Sequence, residues 1–545
     1  MAGDILVVGA GPVGLSLALG LARHGVACRI IDRLVEPLPY CRAIGITPRT
    51  LEVAEAMGFA RDMVDAGLWL TGMRSVVQGY PAQDRLAPNL GLPYAELGLP
   101  QYETERILTS HLEAHGVRVE RGLTLTALNQ DSDGVDAVLD GPQGGAARFS
   151  YVVGCDGAHS AVRKLAGIGF EGDAFPWPFM LGDVRIDWDL PYGHALRALR
   201  LHEDAPPDMF IAIPLPERGR YRVSMMAPEA LVGSGGSDHG IQAEMKGPSL
   251  QDLQAIADDL LPGKPPLSDL RWSSIFKISM RLASRYRQGR LFLAGDAAHI
   301  HPPTGGQGMN TGIQDAFNLA WKLAAAVTGR AAPALLDSYE AERRPVGADV
   351  VARTRAASEG YGREGGHKPD PLVDAQIRVQ YRESPIVMHG NAPLQEDRLG
   401  AGDRAPDANG LRRRGLGFPL HLFELLSDTQ HTLLIQPGPD AATTPEALAG
   451  DVETLRAAAG GRLGAVVILP AGAQAVESGP DLLQIVDAEG SFAAAYGAGV
   501  WLVRPDGYLG WCADGLGEPG LRAYFETIFA PSAVPDSAQS TAAVA

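Results

Sequence analysis

The sequence predicts an α/β chain of more than one domain, and three observations carry that prediction. Residues 5–32 read as strand, glycine-rich turn, helix and second strand; residues 207–287 hold runs that alternate apolar with polar; and beyond residue 400 short apolar runs alternate with alanine-rich stretches. The length of 545 residues is several times that of a typical domain, so more than one core is expected. With 46% apolar and 20% charged residues the composition is that of a globular protein, not of a disordered tract. No run of about 18 apolar residues offers a membrane span. The opening "MAGDILVVGAGPVG" carries Asp4 where a secretory signal would carry Lys or Arg, so a cytoplasmic location is expected. Four cysteines, Cys28, Cys41, Cys155 and Cys512, stand far apart with no CxxC, which excludes a disulfide framework and a cysteine zinc site. The net charge of -17 argues against nucleic acid or an anionic membrane as partner.

The first element is the strand Ile5 to Val8. It runs into "GAGPVG", Gly9 to Gly14, and then into an apolar-periodic helix expected from Leu15 to His24, with Gly25 as its stop. A second strand, "ACRIID", ends in Asp32, 18 residues after Gly14. That order and spacing form a dinucleotide-binding fingerprint on a Rossmann-like unit. Gly9 permits the tight turn, Gly11 lets the backbone approach a pyrophosphate, and Gly14 lets helix pack on strand. Pro12 and Val13 complete the loop, the helix N-terminus faces the phosphates, and Asp32 accepts from a ribose hydroxyl.

The next strand, Tyr151 to Val153, leads into "GCDGAHSAVR", where Asp156 and Gly157 stand at the strand end. A carboxylate there suits either a ligand contact or an Asx turn that caps the following helix. A third strand, Leu291 to Ala294, closes on Gly295 and Asp296 and opens "GDAAHIHPPTGGQGMN", in which a helix is expected after Asn310. His299 and His301 stand two apart but have no third ligand and border Pro302 and Pro303, so the pair reads as a rigid loop and no metal is expected.

Together with "CRAIGITPRTLE" (41–52), "QYETERIL" (101–108) and "YEAERRPV" (339–346), these motifs make the chain resemble the single-component FAD-dependent aromatic hydroxylases. This is the para-hydroxybenzoate hydroxylase and phenol hydroxylase group of flavoprotein monooxygenases. The likeness covers nearly the whole chain. It implies FAD as cofactor and NADPH or NADH as transient cosubstrate, with O2 and a small aromatic substrate. Gly9, Gly11 and Gly14 would then meet the FAD pyrophosphate, Asp32 the ribose, and Arg33 the adenosine side. Arg42 would lie near the pyrophosphate, Gln101 would contact the flavin side, and Arg106 shares the helix of Gln101. Asp156, with Gly157, would serve FAD and NAD(P)H, and Asp296, after Gly295, would hold the ribityl chain. Pro303 and the backbone of Gly305, Gly306, Gly308, Met309 and Asn310 would border the isoalloxazine ring.

The activity implied is hydroxylation of a phenolic or polycyclic aromatic ring through a flavin C4a-hydroperoxide. The same fold running Baeyer–Villiger or ring-opening chemistry is the alternative, and a non-catalytic flavin-binding protein is the third reading. Glycine-bared backbone at a helix start suits the negative edge of a reduced flavin, since side chains would block the approach. A phenol is activated as a phenolate, so a base or relay is expected, but no motif reveals it. Phe210, Met225 and Phe276, in the alternating runs, are candidate pocket residues, and those runs suggest a sheet with one face covered.

The domain organisation that follows is an FAD-binding part at 1–175, with 76–99 contributing to a substrate domain at 176–284, and a second FAD-binding part at 285–395. A C-terminal α/β domain at 400–530 and a disordered tail at 531–545 complete it. Related hydroxylases carry a thioredoxin-like domain with a similar "VRPDGY". Without CxxC this one has no thiol redox chemistry, so support or a homodimer contact is its expected role.

Overall fold

The computed structural model describes residues 5–202, 207–228, 231, 247–302, 306–359, 370–390, 398–437, 445–473, 482–516 and 520–530. They form two compact units, Met1–Ala320 with Tyr339–Val379, and Trp321–Ser338 with Gln380–Ala545.

The first unit is built on a sheet in the order Arg287–Gln288, Leu291–Leu293, Tyr151–Gly154, Ile5–Val8, Cys28–Asp32, Val119–Arg121. All pairs are parallel except the first. Parallel strands are covered on both faces, and Ile5 to Val8 are accordingly all buried. The strand Ile5–Val8 lies between Cys28–Asp32, which follows it closely, and Tyr151–Gly154, from much further along the chain. The chain therefore departs from it in both directions, and a crevice opens at the carboxyl ends.

Two helix starts fall earlier than the sequence reading placed them. The first helix is Pro12–Arg23, beginning three residues before Leu15, because a proline at the first helical position loses no hydrogen bond. The other is Gln307–Val327, which places Gly308, Met309 and Asn310 in its first turn and not before it.

The second sheet of this unit has eight strands, ordered His299–Ile300, Leu267–Ala283, Phe170–Ile186, Arg220–Met226, Asp208–Pro214, His194–Arg200, Gly72–Val77, Gln83–Leu86. The last two come from the 72–86 stretch and extend the sheet at its edge. One face is buried under the amphipathic helix Leu250–Leu260, with Met180, Val184, Phe210, Val223, Met225, Leu253 and Ala257 in one cluster. The other face is not bare, as the alternation had suggested. It carries Phe179, Leu199, Met209 and Met280, with Phe276, Ile211 and Met226 partly buried beside them.

The second unit holds a mixed seven-stranded sheet ordered Met388–His389, Leu509–Ala513, Gly499–Val503, His431–Gln436, Leu463–Leu469, Leu483–Asp487, Leu411–Arg413. Its core joins Leu433, Val467, Leu502, Trp511 and Phe525 to Trp321, Ala325 and Leu335. The stretch expected as one FAD-binding part, 285–395, therefore divides, because the apolar residues of 321–338 find their partners in this second core. The tail 531–545 lies outside the described residues. All four cysteines are free thiols. No helix among the described residues is long and apolar enough to cross a membrane.

Candidate functional site

At the carboxyl edge of the parallel sheet the backbone of the first motif is packed to its limit in two places and open in a third. Gly9 has φ +103°, and a Cβ there would stand 2.4 Å from the Cys155 carbonyl oxygen. A Cβ at Gly14 would stand 1.9 Å from the Gly9 oxygen. A Cβ at Gly11 would meet nothing within 4 Å. Gly9 and Gly14 are thus required by the fold, whereas Gly11 fronts open space at the helix N-terminus, as a phosphate cradle needs. Asp32 accepts from Ala10 N (2.7 Å) and Leu34 N (2.8 Å), which fixes the loop and leaves lone pairs on both oxygens for a ribose. Arg33 is exposed beside it. Val13 reaches the third motif, its Cγ2 lying 2.8 Å from where a Cβ of Gly295 would be.

The second motif forms the helix cap and leaves one carboxylate oxygen over. Asp156 Oδ2 accepts from Ala161 N (2.6 Å) and Val162 N (3.2 Å), capping the helix Ala161–Leu165. Its Oδ1 is buried and has no partner among the described residues, and burial pushes the carboxyl up. Gly157, at φ +77°, makes the turn. Arg163 lies over the Phe170 ring at 3.8 Å and donates to the Ala158 and Ala297 carbonyls, a structural role.

Asp296 is exposed, yet its carboxyl is pushed up by burial, opposed by His299 and Arg42. Solvent access combined with crowding by protein is the state of a side chain in a cavity wall. Arg42 is drawn down by burial and held up by Glu105 and Asp296, and its Nε is buried without a partner among the described residues. Gln101 secures that segment: its Oε1 accepts from Ala43 N (3.3 Å) and its Nε2 donates to Glu105 Oε1 (2.8 Å). Arg106 points away and pairs with Glu103 on the surface at 2.8 Å.

Pro303 and Gly305 lie outside the described residues. Gly306, at φ +65°, turns the chain into the helix Gln307–Val327. The Asn310 side chain is fully engaged, accepting from Thr47 N (3.0 Å) and donating to the Gly45 (2.8 Å) and Gly306 (2.7 Å) carbonyls. At Gly308 and Asn310 it is therefore the backbone that is left to meet a ligand. His301 faces Gly308, with its Nε2 3.5 Å from where a Cβ would be. Its Nδ1–H donates to the Pro302 carbonyl at 2.9 Å, and burial, with His299 adding to it, pulls its pKa down to about 4. The ring is neutral at pH 7, and Nε2 is a buried acceptor without a described partner.

Sequence reasoning missed a buried trio beneath this edge. Asp315 accepts from His299 Nε2 (2.8 Å), Arg343 Nε (2.7 Å) and Gly295 N (3.1 Å), and all three side chains are inaccessible to solvent. Burial works against its ionisation, but Arg343 and His299 prevail and hold the carboxyl below its usual range. The trio fixes Gly295, and so the position of Asp296.

The structure separates the three candidate pocket residues. Phe210 and Met225 are directly paired across neighbouring strands and belong to the core under the helix Leu250–Leu260. Phe276 lies on the opposite face, paired with Phe179. That second face also carries Ile213, which packs with Cys41, Ile44 and Tyr102, and Arg222, whose Nη1 donates to the Arg42 carbonyl at 3.1 Å. It is thus the face turned toward the cofactor motifs. Period-two alternation sorts residues into two faces but does not say which face is which.

The donor set fits a flavin dinucleotide: an open glycine at a helix N-terminus, an orphaned Asp156 oxygen, a cavity-wall Asp296 and a partly unpaired Arg42. A family model for the FAD binding domain matches residues 3–354, and one for the aromatic-ring hydroxylase C-terminal domain matches 400–532. The chain is 33% identical over 545 residues to the 12-dehydrotetracycline 5-monooxygenase/anhydrotetracycline 6-monooxygenase of Streptomyces rimosus, covering 97% of this chain and 99% of the relative. It is 40% identical over 367 residues to a rifampicin monooxygenase of Streptomyces venezuelae, covering 67% and 72%. A solved ternary complex of aklavinone-11 hydroxylase with FAD and aklavinone is 28% identical, with a TM-score of 0.75 over 96% of this chain and 98% of that one.

Proposed function

Because the chain belongs to the family of FAD-binding aromatic-ring hydroxylases and is an FAD-dependent monooxygenase, we propose that it uses NADPH or NADH and O2 to hydroxylate a phenolic or polycyclic aromatic substrate. The observation that most supports this reading is the convergence of Gly11, Asp156, Asp296 and the first turn of Gln307–Val327 at one sheet edge, opposite an apolar sheet face. FAD, when bound, would accept hydride from the nicotinamide and activate oxygen.

The residues of this chain bind, orient and desolvate. Gly11 and the N-terminus of Pro12–Arg23 would take the pyrophosphate, Asp32 a ribose, and Asp296 the ribityl hydroxyls. Arg42 and Arg33 would offset the phosphate charge. Backbone N–H groups at Gly308 and Met309 would stabilise negative charge on the ring's pyrimidine edge. Phe179, Phe276, Ile211 and Met226 give the facing sheet an apolar surface for a planar ring and help exclude water.

The test is NAD(P)H oxidation by the FAD-loaded protein across phenols of one to four rings, run in labelled oxygen with product identification. At least one phenol should both accelerate NAD(P)H oxidation and gain one labelled oxygen on its ring. If no aromatic does both, the hydroxylase reading fails; a label found within an enlarged or opened ring replaces it with Baeyer–Villiger chemistry.

A further inference from the structure

The face of the eight-stranded sheet that is turned toward the cofactor motifs is laid out in rows. Phe276, Phe179 and Met226 stand opposite one another on three strands, and Met209, Leu199 and Val77 continue on the next three. These six are apolar and pack in one cluster. Two residues along each strand, roughly 7 Å away, the next row on the same face holds Ser224, Ile211, Arg197 and Ser75. One row further stand Ile213 and Arg222, and Arg222 Nη1 donates to the carbonyl of Arg42, in the cofactor-binding segment, at 3.1 Å. Arg197 thus stands between the apolar row and the row that touches the cofactor segment, facing the same way as both.

Other arginines of these strands have counter-ions. Arg74 pairs with Asp84, Arg185 with Glu217, Arg200 with Asp259 and Arg220 with Asp183. Arg197 has no carboxylate partner among the described residues. Its Nη2 donates to Ser75 Oγ at 3.2 Å, and its Nε is buried with no described partner. A neutral hydroxyl steadies the guanidinium without cancelling its charge, and it takes one of five N–H donors. The row itself offers no counter-charge, since Ser224, Ile211 and Ser75 are all neutral. A partly buried cation with an orphaned N–H is costly unless an acceptor reaches it, and on this face the acceptor has to come with the ligand.

We propose that Arg197 is a specificity-determining residue: its guanidinium takes an anionic oxygen group of the substrate, a ring carboxylate or an ionised ring hydroxyl, while the ring lies on the apolar row. The proposal rests on the hydroxylase reading above, and it narrows the substrate from aromatics in general to those that bind with a negative oxygen. A guanidinium edge meets both oxygens of a carboxylate at once, or a phenolate oxygen through a single N–H. Either bond is charge-assisted, and partial exclusion of water strengthens it. An uncharged ring with no acceptor would leave the same N–H groups unpaired, so the site selects against it as well as for the anion.

The test is equilibrium binding to the FAD-loaded protein at pH 8, followed by the flavin absorbance, for wild type, Arg197→Met and Arg197→Lys. Two ligand series of one to three rings are titrated: benzoate, 2-naphthoate and anthraquinone-2-carboxylate, each against its methyl ester, and phenol, 2-naphthol and 2-hydroxyanthraquinone, each against its methyl ether. In at least one series the wild type should favour the acid over its uncharged counterpart by roughly tenfold or more. Arg197→Met, which keeps the length of the side chain and removes the orphaned N–H, should retain its FAD and its melting temperature but lose that preference. Arg197→Lys should restore part of it, as a point charge without the planar fork. A preference confined to the carboxylates identifies the anion as a carboxylate, and one confined to the phenols identifies it as the ring oxygen. A wild type that binds no acid, or favours none, overturns the assignment, as does an Arg197→Met protein with the wild-type preference. In either case oxygenation of a phenol by the wild type would leave the hydroxylase reading standing. A preference that depends on Arg197, in a protein that oxygenates no aromatic, would keep the site and remove that reading.

Discussion

Asp315 gathers three donors, two of them charged or chargeable, at a point no solvent reaches. Removing one partner of such a group leaves a buried charge uncompensated, which costs more than any exposed ion pair contributes. Arg343→Met should therefore destabilise the protein by about 3–5 kcal/mol in denaturant titration at pH 7. The sign with pH follows from the depressed carboxyl. In the wild type its contribution is complete above the unfolded value of about 3.9 and is lost as pH falls through the lower folded value. Without Arg343 that contribution is absent, so the difference between the two proteins should shrink on acidification below about pH 4. A difference that stays constant down to pH 3 would assign Arg343 to packing alone. None of this was legible in the sequence, because His299, Asp315 and Arg343 meet across 16 and 28 residues and form no local pattern. Gly9, Gly14 and Asp32 could be read, since their geometry is enforced within one strand, turn and strand.

Among the elements, the helix Gln307–Val327 has the largest consequence for chemistry, and its start, like that of Pro12–Arg23, falls earlier than the sequence suggested. Glycines at 305, 306 and 308 suggested a loop, whereas Asn310 bonds back to the Gly306 carbonyl and draws Gly308 into the first turn. Gly306 and Gly308 therefore bare a helix terminus, a stronger device for an anion than a loose loop. Gly308→Asp tests this. Gly308 has no positive φ, and a Cβ would make only ordinary contact with the His301 ring at 3.5 and 3.6 Å, so the fold should persist. The new carboxylate would occupy the positive end of the helix and oppose negative charge on reduced flavin. FAD should be held roughly tenfold more weakly in the reduced state than the oxidised, seen as a lowered midpoint potential. An unchanged potential would remove this helix terminus from the flavin's surroundings. The strands were more legible than the helix starts: alternation gave the correct runs at 207–228 and 271–287 but could not tell the face under Leu250–Leu260 from the face toward Arg42.

On the scale of the whole molecule, a net charge of -17 opposes the anionic flavin dinucleotide and, on the proposed function, a nicotinamide dinucleotide as well. Their binding must then be carried locally, by Arg33, Arg42, helix termini and backbone N–H groups converging on the sheet edge of the first unit. That convergence joins segments around residues 9, 32–42, 156 and 296–308, which lie far apart in the chain, so the ligand should act as a bridge between them. Binding to the folded state alone stabilises by RT ln(1 + [L]/Kd), about 2.7 kcal/mol at 100 times Kd. The melting temperature should therefore climb continuously with added FAD. Amide exchange should show where: protection is expected at Gly9–Gly14, Asp156–Ala161, Gly295–Ala297 and Gly308–Asn310 together, over the same FAD range. The strand His431–Gln436, which holds none of these donors, should be unaffected. Protection confined to Gly9–Gly14 would mean a nucleotide held by its pyrophosphate alone, and the assignments of Asp296 and of the Gln307–Val327 terminus would both have to be withdrawn.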